Sequence, residues 1–229
     1  MRREPGPFAW PGAEAFDAVS CDHRGLGRSR ARDPRAQPSM ADFAQDALAL
    51  ADHLSWQRFA LVGVSFGGMV AQEIAIAAPE RVTRMVLACT SSGGAGGSSA
   101  PLHEVLSLPQ AQRAERLIGL VDARTATDPL LRAQISERLA AVLADPDEGA
   151  RQQLEARRHH DTFARLGRIA APTLVAAGRH DELAPLANSR ALAGAIADAR
   201  LEVFEGGHAF LDQDPSAWPA LAAFLLSGE

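Results

Sequence analysis

A single serine stands where an apolar run gives way to a helical pattern. Residues 59 to 62 are all apolar and long enough for a buried strand, and residues 67 to 78 repeat apolar side chains at helical spacing. Ser65 lies between the two patterns, with Gly63 and Gly67 two residues to either side. The sequence therefore predicts a strand that turns sharply into a helix at Ser65.

This strand–turn–helix pattern around G-x-S-x-G is typical of a nucleophile elbow. In so tight a turn, side chains at positions 63 and 67 would collide with the backbone, and glycine has none to collide. Ser65 would be exposed at the end of a helix whose free N–H groups favour negative charge, with the Phe66 N–H as an oxyanion donor. We predict that Ser65 attacks a carbonyl; the alternative explanation is a plain glycine turn.

Two further residues suit the roles of base and acid. His208 follows two glycines in the loop after the last predicted strand, where it would face the sheet end. Asp181 lies in the loop after an earlier strand, between a glycine turn and a proline that holds the exit. Glu182 is an alternative candidate for the acid because it is adjacent to Asp181 in the sequence. The prediction is that His208 removes the Ser65 proton and Asp181 orients the imidazole.

Short apolar runs alternate with longer helical patterns along most of the chain. The predicted strands are residues 16–21, 59–62, 85–88, 173–177 and 201–204, and the predicted helices are 39–54, 67–78, 189–197 and 218–226. This alternation predicts an α/β fold with a mostly parallel sheet and helices on both faces. Residues 93 to 168 break the rhythm with helical pattern and no strand, which predicts a helical cap insert over the strand ends. The core would be residues 1–92 and 169–229.

Composition narrows the class of protein. The net charge of −5 and the dispersed arginines give no support to nucleic-acid binding, and we expect no polyanionic partner. No apolar stretch is long enough for a signal peptide or a membrane span. Cys21 and Cys89 lie in or after apolar runs and are predicted to be buried thiols, which favours the reduced cytosol. We expect a soluble cytoplasmic protein with no membrane partner; its oligomeric state stays open.

At this point the chain resembles a known family, the α/β-hydrolase fold superfamily. Ser65, Asp181 and His208 follow the order of that family's triad, and residues 22 to 29 look like the D-x-R-G-x-G-x-S turn of many members. The motifs are most similar to small esterases and enol-lactonases, including the 3-oxoadipate enol-lactonase group. The resemblance implies hydrolysis of a small ester or lactone without metal or organic cofactor. Serine at position 65 excludes the aspartate chemistry of haloalkane dehalogenases.

The front of the chain departs from the family pattern. Members usually begin with three more strands, the third leading to a loop that supplies a second oxyanion N–H, and the fifteen residues before Phe16 contain no such pattern. We therefore expect an N-terminally truncated α/β-hydrolase fold whose true start lies upstream of Met1. If Met1 is the start, an impaired enzyme is expected.

Two other functions remain open. The chain is either a hydrolase as described, a non-catalytic homologue that keeps the pocket, or a cofactor-free perhydrolase or haloperoxidase that uses the same triad. The substrate is equally open. Arg113, Arg116 and Arg124 on the insert are candidates for binding an acidic substrate, although arginines on a helical insert are usually only solvated.

Overall fold

Four parallel strands form the centre of the protein, whose computed structural model describes residues 15–139 and 146–227. The strands are β1 (Phe59–Val64), β2 (Val82–Ala88), β3 (Thr173–Gly178) and β4 (Ala199–Phe204). They lie side by side in chain order, and each neighbouring pair is parallel. The predicted α/β class is confirmed, and four of the five predicted strands are present.

Helices connect the strands and cover the sheet. Their bounds are α1 (Met40–His53), α2 (Phe66–Ala77), α3 (Leu102–Ser107), α4 (Gln110–Val121), α5 (Pro129–Leu139), α6 (Glu148–Arg158), α7 (Leu186–Ala195), α8 (Phe210–Gln213) and α9 (Ala217–Leu226). Each of the four predicted helices is present with its ends shifted by at most a few residues. No helix in the described ranges is both long enough and apolar enough to cross a membrane.

The sheet carries an apolar core on each face because successive side chains of a strand point to opposite sides. Met85, Leu87 and Val175 pack with α1, α2 and α7. Val86 and Leu174 point to the other face and pack with α8 and α9. The predicted covering of both faces by helices is therefore confirmed.

Helix α1 begins at a capping box. The Ser39 hydroxyl accepts a hydrogen bond from the Asp42 N–H at 3.3 Å, and the Asp42 carboxylate accepts one from the Ser39 N–H at 2.7 Å. Helix α2 packs against α1 and is buried at every position from Gly68 to Ile76. Since the helix is apolar on nearly all sides, it suits this place between α1 and the sheet.

The predicted strand at residues 16–21 is wrong. Ser20 makes an isolated bridge, and no continuous strand forms there. An apolar run becomes a strand only when a neighbour pairs with its backbone, and the sheet of the described residues ends at β1. The burial predicted for Cys21 is also wrong, since this cysteine is exposed, whereas Cys89 is buried as predicted.

The segment from residue 93 to 168 is helical wherever the structure describes regular elements in it. It contains α3 to α6 and short 3-10 turns, and its described residues form no strand, as predicted. Val105, Leu117 and Leu120 pack against Leu183 of the core in a small apolar cluster. An ion pair between Arg165 and Glu73 of α2, at 2.6 Å, joins the end of the segment to the core.

His160 is a buried histidine whose surroundings favour its neutral form. It is 6% exposed, and neither ring nitrogen makes a well-formed hydrogen bond to the described residues. Burial lowers the pKa of His160 to about 4, and the neighbouring Glu73 carboxylate opposes this shift only in part. Folding therefore favours the neutral imidazole.

We expect the free energy of unfolding to fall as the pH drops from 6.5 to 4. In this range the unfolded chain binds a proton at His160 that the folded chain does not, so stability is present above pH 6.5 and is lost on acidification. The shift from 6.5 to about 4 corresponds to about 3 kcal/mol. The unfolding free energy, measured by urea unfolding at several pH values in this range, should fall less steeply with decreasing pH in His160→Phe than in the parent. The exposed His53→Gln is the control and should keep the parental pH dependence of the unfolding free energy; equal pH dependence in all three proteins would contradict the prediction.

Candidate active site

Ser65 occupies a sharp turn between β1 and α2. Its backbone has φ 54° and ψ −116°, in the left-handed half of conformational space that non-glycine residues seldom adopt. Two hydrogen bonds hold it there: the Ser65 N–H donates to the Ala88 carbonyl, and the Thr90 hydroxyl donates to the Ser65 carbonyl, each at 2.8 Å. Such backbone strain costs on the order of 1–3 kcal/mol and persists only where surrounding contacts enforce it.

Close packing at the turn requires glycine at positions 63 and 68. A Cβ on Gly63 would lie 2.6 Å from the Gly67 carbonyl oxygen, and one on Gly68 would lie 2.6 Å from the Cβ of Thr90. A Cβ on Gly67 would meet nothing within 4 Å outside its own helix backbone. The prediction that Gly67 avoids a collision is therefore wrong. Gly68 has that role, because α2 lies directly against Thr90, two residues after the end of β2.

The structure brings Ser65, His208 and Asp181 together. His208 Nε2 lies 2.9 Å from Ser65 Oγ, and His208 Nδ1 lies 2.8 Å from Asp181 Oδ2. A carboxylate only accepts hydrogen bonds, so this contact assigns the proton to Nδ1 and leaves Nε2 to accept from the serine hydroxyl. The Asp181 side chain is 1% exposed and the His208 side chain 16%. The arrangement is suited to removing a proton from Ser65.

Backbone donors hold the Asp181 carboxylate in place. Its Oδ1 accepts hydrogen bonds from the N–H groups of Leu183 and Ala184, both at 2.8 Å. Glu182, the rival acid, is exposed, and the contact to His208 comes from Asp181. Since two N–H groups engage one carboxylate oxygen, the other is directed at the imidazole.

The loops that carry Asp181 and His208 pack against each other through glycines. A Cβ on Gly178 would lie 2.0 Å from the Gly207 carbonyl oxygen. Gly206 has φ +125°, and its carbonyl accepts a hydrogen bond from the His180 N–H at 2.9 Å. The glycines noticed before His208 thus serve close approach as well as backbone conformation.

Phe66 is the first residue of α2, and its N–H has no hydrogen-bond acceptor among the described residues. This is normal for the first turn of a helix and leaves the group free to donate to an oxyanion. The Phe66 ring packs edge-on against His23 and Phe43, at 5.3 Å between centroids in both pairs. The prediction about a second donor falls on residues 1–14, which lie outside the described residues.

Cys89 lies beside the site but is not a competing nucleophile. It is 1% exposed and, like Ser65, has a positive φ, here 42°. Burial raises the pKa of the Cys89 thiol well above its usual value, and the nearby Asp181 charge adds to the effect. A thiol that stays protonated is a poor nucleophile.

Two side chains near the site were not predicted from the sequence. Asp122, after α4, and Gln213, in α8, make a hydrogen bond to each other at 2.9 Å next to the His208 loop. No local pattern marks either residue, because the contact joins positions far apart in the chain. Within residues 15–139 and 146–227, no three His, Cys, Asp or Glu side chains lie close enough to hold a metal ion.

Comparison with known proteins identifies the family of this chain. The sequence model of the family described as alpha/beta hydrolase fold matches residues 11–215. A protein of Pseudomonas syringae pv. syringae (strain B728a) named as a carbamate hydrolase, RutD, is 36% identical over 220 residues, covering 92% of this chain and 83% of its own. A poly(3-hydroxyalkanoate) depolymerase of Ectopseudomonas oleovorans is 32% identical over 215 residues, covering 89% of this chain and 74% of its own.

Solved structures show the same architecture. The crystal structure of the enol-lactonase from Burkholderia xenovorans LB400 superimposes with a TM-score of 0.71, covering 89% of this chain and 78% of that chain. Its sequence is 24% identical, so the likeness concerns the fold.

Proposed function

Because the chain belongs to the alpha/beta-hydrolase fold family, we propose that it is a serine hydrolase that cleaves a small carboxylic ester or lactone. The observation that carries the proposal is the position of His208, in hydrogen-bond contact with Ser65 Oγ on one side and Asp181 on the other. Ser65 also stands in a strained turn at a helix N-terminus. These are the nucleophile, base and orienting acid of acyl transfer.

The first half of the reaction forms an acyl-enzyme. His208 Nε2 takes the hydroxyl proton as Ser65 Oγ bonds to the carbonyl carbon, and the carbonyl electron pair moves to oxygen. The Phe66 N–H donates to that oxyanion at the positive end of α2. When the oxyanion collapses, the C–O bond to the alcohol breaks and the alcohol oxygen takes the proton from Nε2.

The second half releases the acid. A water molecule gives a proton to Nε2 and attacks the acyl carbonyl, and the resulting tetrahedral intermediate expels Ser65 Oγ, which regains its proton. Asp181 remains charged throughout and stabilises the imidazolium formed in each half. No step needs a metal ion or organic cofactor.

The helical segment 93–168 is assigned the role of a cap, and residues 1–92 and 169–229 that of the catalytic core. Support comes from the apolar cluster that joins α3 and α4 to Leu183, two residues from Asp181. Of the arginines considered for an acidic substrate, Arg124 is already engaged by Asp122 in an ion pair at 2.7 Å. Arg124 therefore has a carboxylate partner within the protein, and we do not assign it to substrate binding.

The choice of ester or lactone rests on chemistry and on one relative. An alkoxide leaves a tetrahedral intermediate more readily than an amine, so esters and lactones demand least of the oxyanion donor at Phe66. The depolymerase relative is named for a polyester substrate. The relative named as a carbamate hydrolase makes carbamates the natural competing substrate class.

Active-site labelling combined with a matched substrate panel tests the proposal. Intact-mass analysis after treatment with a fluorophosphonate should show one adduct, and peptide mapping should locate it at Ser65. Hydrolysis should be measured for 4-nitrophenyl butyrate, δ-valerolactone and a 4-nitrophenyl carbamate. We expect turnover of the ester or the lactone. A folded protein that neither forms the adduct nor hydrolyses any of the three would contradict the proposal, and turnover of the carbamate alone would replace the substrate class.

A further inference from the structure

The C-terminal end of α4 is attached to both loops that carry the proposed base and acid. The His208 N–H donates to the Val121 carbonyl at 2.6 Å, and the Glu182 N–H donates to the Leu120 carbonyl at 3.0 Å. In the opposite direction, the Ala123 N–H donates to the His180 carbonyl at 3.0 Å. A segment of the insert therefore holds the residues next to Asp181 as well as His208 itself.

Asp122, the residue after α4, is the charged centre of this junction. Its side chain is 0% exposed. Oδ1 accepts hydrogen bonds from the backbone N–H and the Nε of Arg124, both at 3.0 Å, and Oδ2 accepts from Arg124 Nη2 at 2.7 Å and Gln213 Nε2 at 2.9 Å. Burial alone would raise the pKa of Asp122, but the hydrogen bonds from Arg124 and Gln213 outweigh it and lower the pKa. The carboxylate is therefore charged at neutral pH.

Gln213 transmits the position of Asp122 to the His208 loop. Because a carboxylate only accepts, the Gln213 amide nitrogen faces Asp122 and its oxygen is turned toward the loop. That oxygen accepts the Gly207 N–H at 2.8 Å. Gly207 is the residue before His208, so the amide holds the backbone from which the imidazole projects.

The loop that carries His208 is closely packed at Gly206 and Gly207. A Cβ on Gly207 would lie 2.0 Å from the Val121 carbonyl oxygen, and one on Gly206 would lie 2.5 Å from the Gln213 amide oxygen. Backbone and hydrogen-bonding groups touch directly, with no side chain between them. A small rotation of the Gln213 amide would therefore move the loop itself.

We propose that Asp122 is a positioning residue that, through Gln213 and Gly207, holds the His208 imidazole between Ser65 and Asp181. This inference rests on the proposed function. A buried ion pair is seldom the most stable way to fill a core, since apolar residues often do as well or better. An ion pair at this junction is explained by the precise orientation that it imposes on the Gln213 amide.

A polarity exchange tests the inference. In Asp122→Asn, the backbone N–H and the Nε of Arg124 favour the amide oxygen at the Oδ1 position. The amide nitrogen then replaces Oδ2 and faces the donors Arg124 Nη2 and Gln213 Nε2, so the contact with Gln213 is lost. We expect kcat for 4-nitrophenyl butyrate to fall roughly 10- to 100-fold with KM nearly unchanged, because the imidazole is misplaced by a fraction of an ångström to about 1 Å. Gln213→Glu should also lower kcat, since two carboxylates would face each other.

The double variant Asp122→Asn with Gln213→Glu should recover much of the loss. The amide nitrogen introduced at position 122 can donate to the carboxylate introduced at position 213, whose other oxygen still accepts from Gly207. The matched control is Asp128→Asn, the same chemical change in an exposed aspartate that caps α5 with hydrogen bonds from the N–H groups of Leu130 and Leu131. Its kcat should equal that of the parent.

A spectroscopic measurement separates positioning from a general loss of stability. The proton on His208 Nδ1 should give a downfield resonance in NMR spectra, assigned by its absence in His208→Gln. It should stay sharp in the parent, in Asp128→Asn and in the double variant, and broaden in Asp122→Asn, all at a temperature where circular dichroism shows folded protein. If Asp122→Asn does not fold, Gln213→Ala, which removes the acceptor of the Gly207 N–H, decides by the same two measurements.

The outcomes for the two proposals are distinct. A folded Asp122→Asn protein with parental kcat and an unchanged His208 resonance overturns the inference while leaving the proposed function intact. A parent that hydrolyses none of the panel overturns the proposed function, and the resonance of His208 still tests whether Asp122 positions the imidazole.

Discussion

Replacing Ser65 with alanine will lower kcat for ester hydrolysis by roughly a million-fold, the size of loss seen when a serine nucleophile is removed. The physical reason is that His208 Nε2 then has no hydroxyl to deprotonate at 2.9 Å, and no acyl-enzyme forms. The measurement is kcat and KM for 4-nitrophenyl butyrate with purified parent and variant. KM should change little, because Oγ contributes mainly to the transition state.

Ser99→Ala is the matched control for this prediction. It removes a partly buried hydroxyl that lies 2.7 Å from Ser91 Oγ in the loop after β2, and it should keep parental kcat. A Ser65→Ala protein that hydrolyses the ester at the parental rate would show that turnover arises elsewhere. The alanine variant should also fold, since the backbone strain at Ser65 is held by the Ala88 and Thr90 contacts and not by Oγ.

Asp181→Asn is expected to lower kcat by about 10⁴-fold through a change of imidazole tautomer. The N–H groups of Leu183 and Ala184 would keep the asparagine oxygen at the Oδ1 position. The amide nitrogen would then face His208 Nδ1, which can accept its hydrogen bond only by giving up its own proton. With the proton on Nε2, His208 cannot remove the proton of Ser65. Steady-state kinetics with 4-nitrophenyl butyrate give the loss directly.

Glu182→Gln distinguishes Asp181 from its neighbour. Glu182 is exposed, and the structure brings Asp181 to His208. We expect parental kcat for this control. A large loss in Glu182→Gln together with a small one in Asp181→Asn would mean that the loop rearranges in solution and that the acid is assigned to the wrong residue.

Local patterns were enough to predict most of the fold. β1 and α2 follow from a short apolar run and a helical repeat, and the parallel sheet follows from the alternation of such segments. The strand predicted at residues 16–21 failed because a strand depends on a partner for its backbone, and an apolar run says nothing about its partner. The same reason explains why Cys21, the last residue of that predicted strand, is exposed.

The candidate site was predictable where chemistry depends on the residue type and its place in a loop. Ser65, Asp181 and His208 each stand just after a strand, and parallel strands bring their carboxyl ends to the same edge of the sheet. The need for glycine was predicted correctly at position 63 and wrongly at 67, because the neighbour that enforces it at position 68 is Thr90, beyond the next strand.

Short-range periodicity and residue chemistry are sufficient for the alternating architecture, the serine turn and the two loops that supply base and acid, so these features could be read from the chain alone. The contacts that hold the acid and base loops in place could not be predicted from the sequence, because they join segments that are distant in the chain. Asp122 and Gln213 are 91 positions apart and carry no local signal. Their contact exists because the end of α4 is hydrogen-bonded to the loops that follow β3 and β4, and such packing depends on the whole tertiary structure.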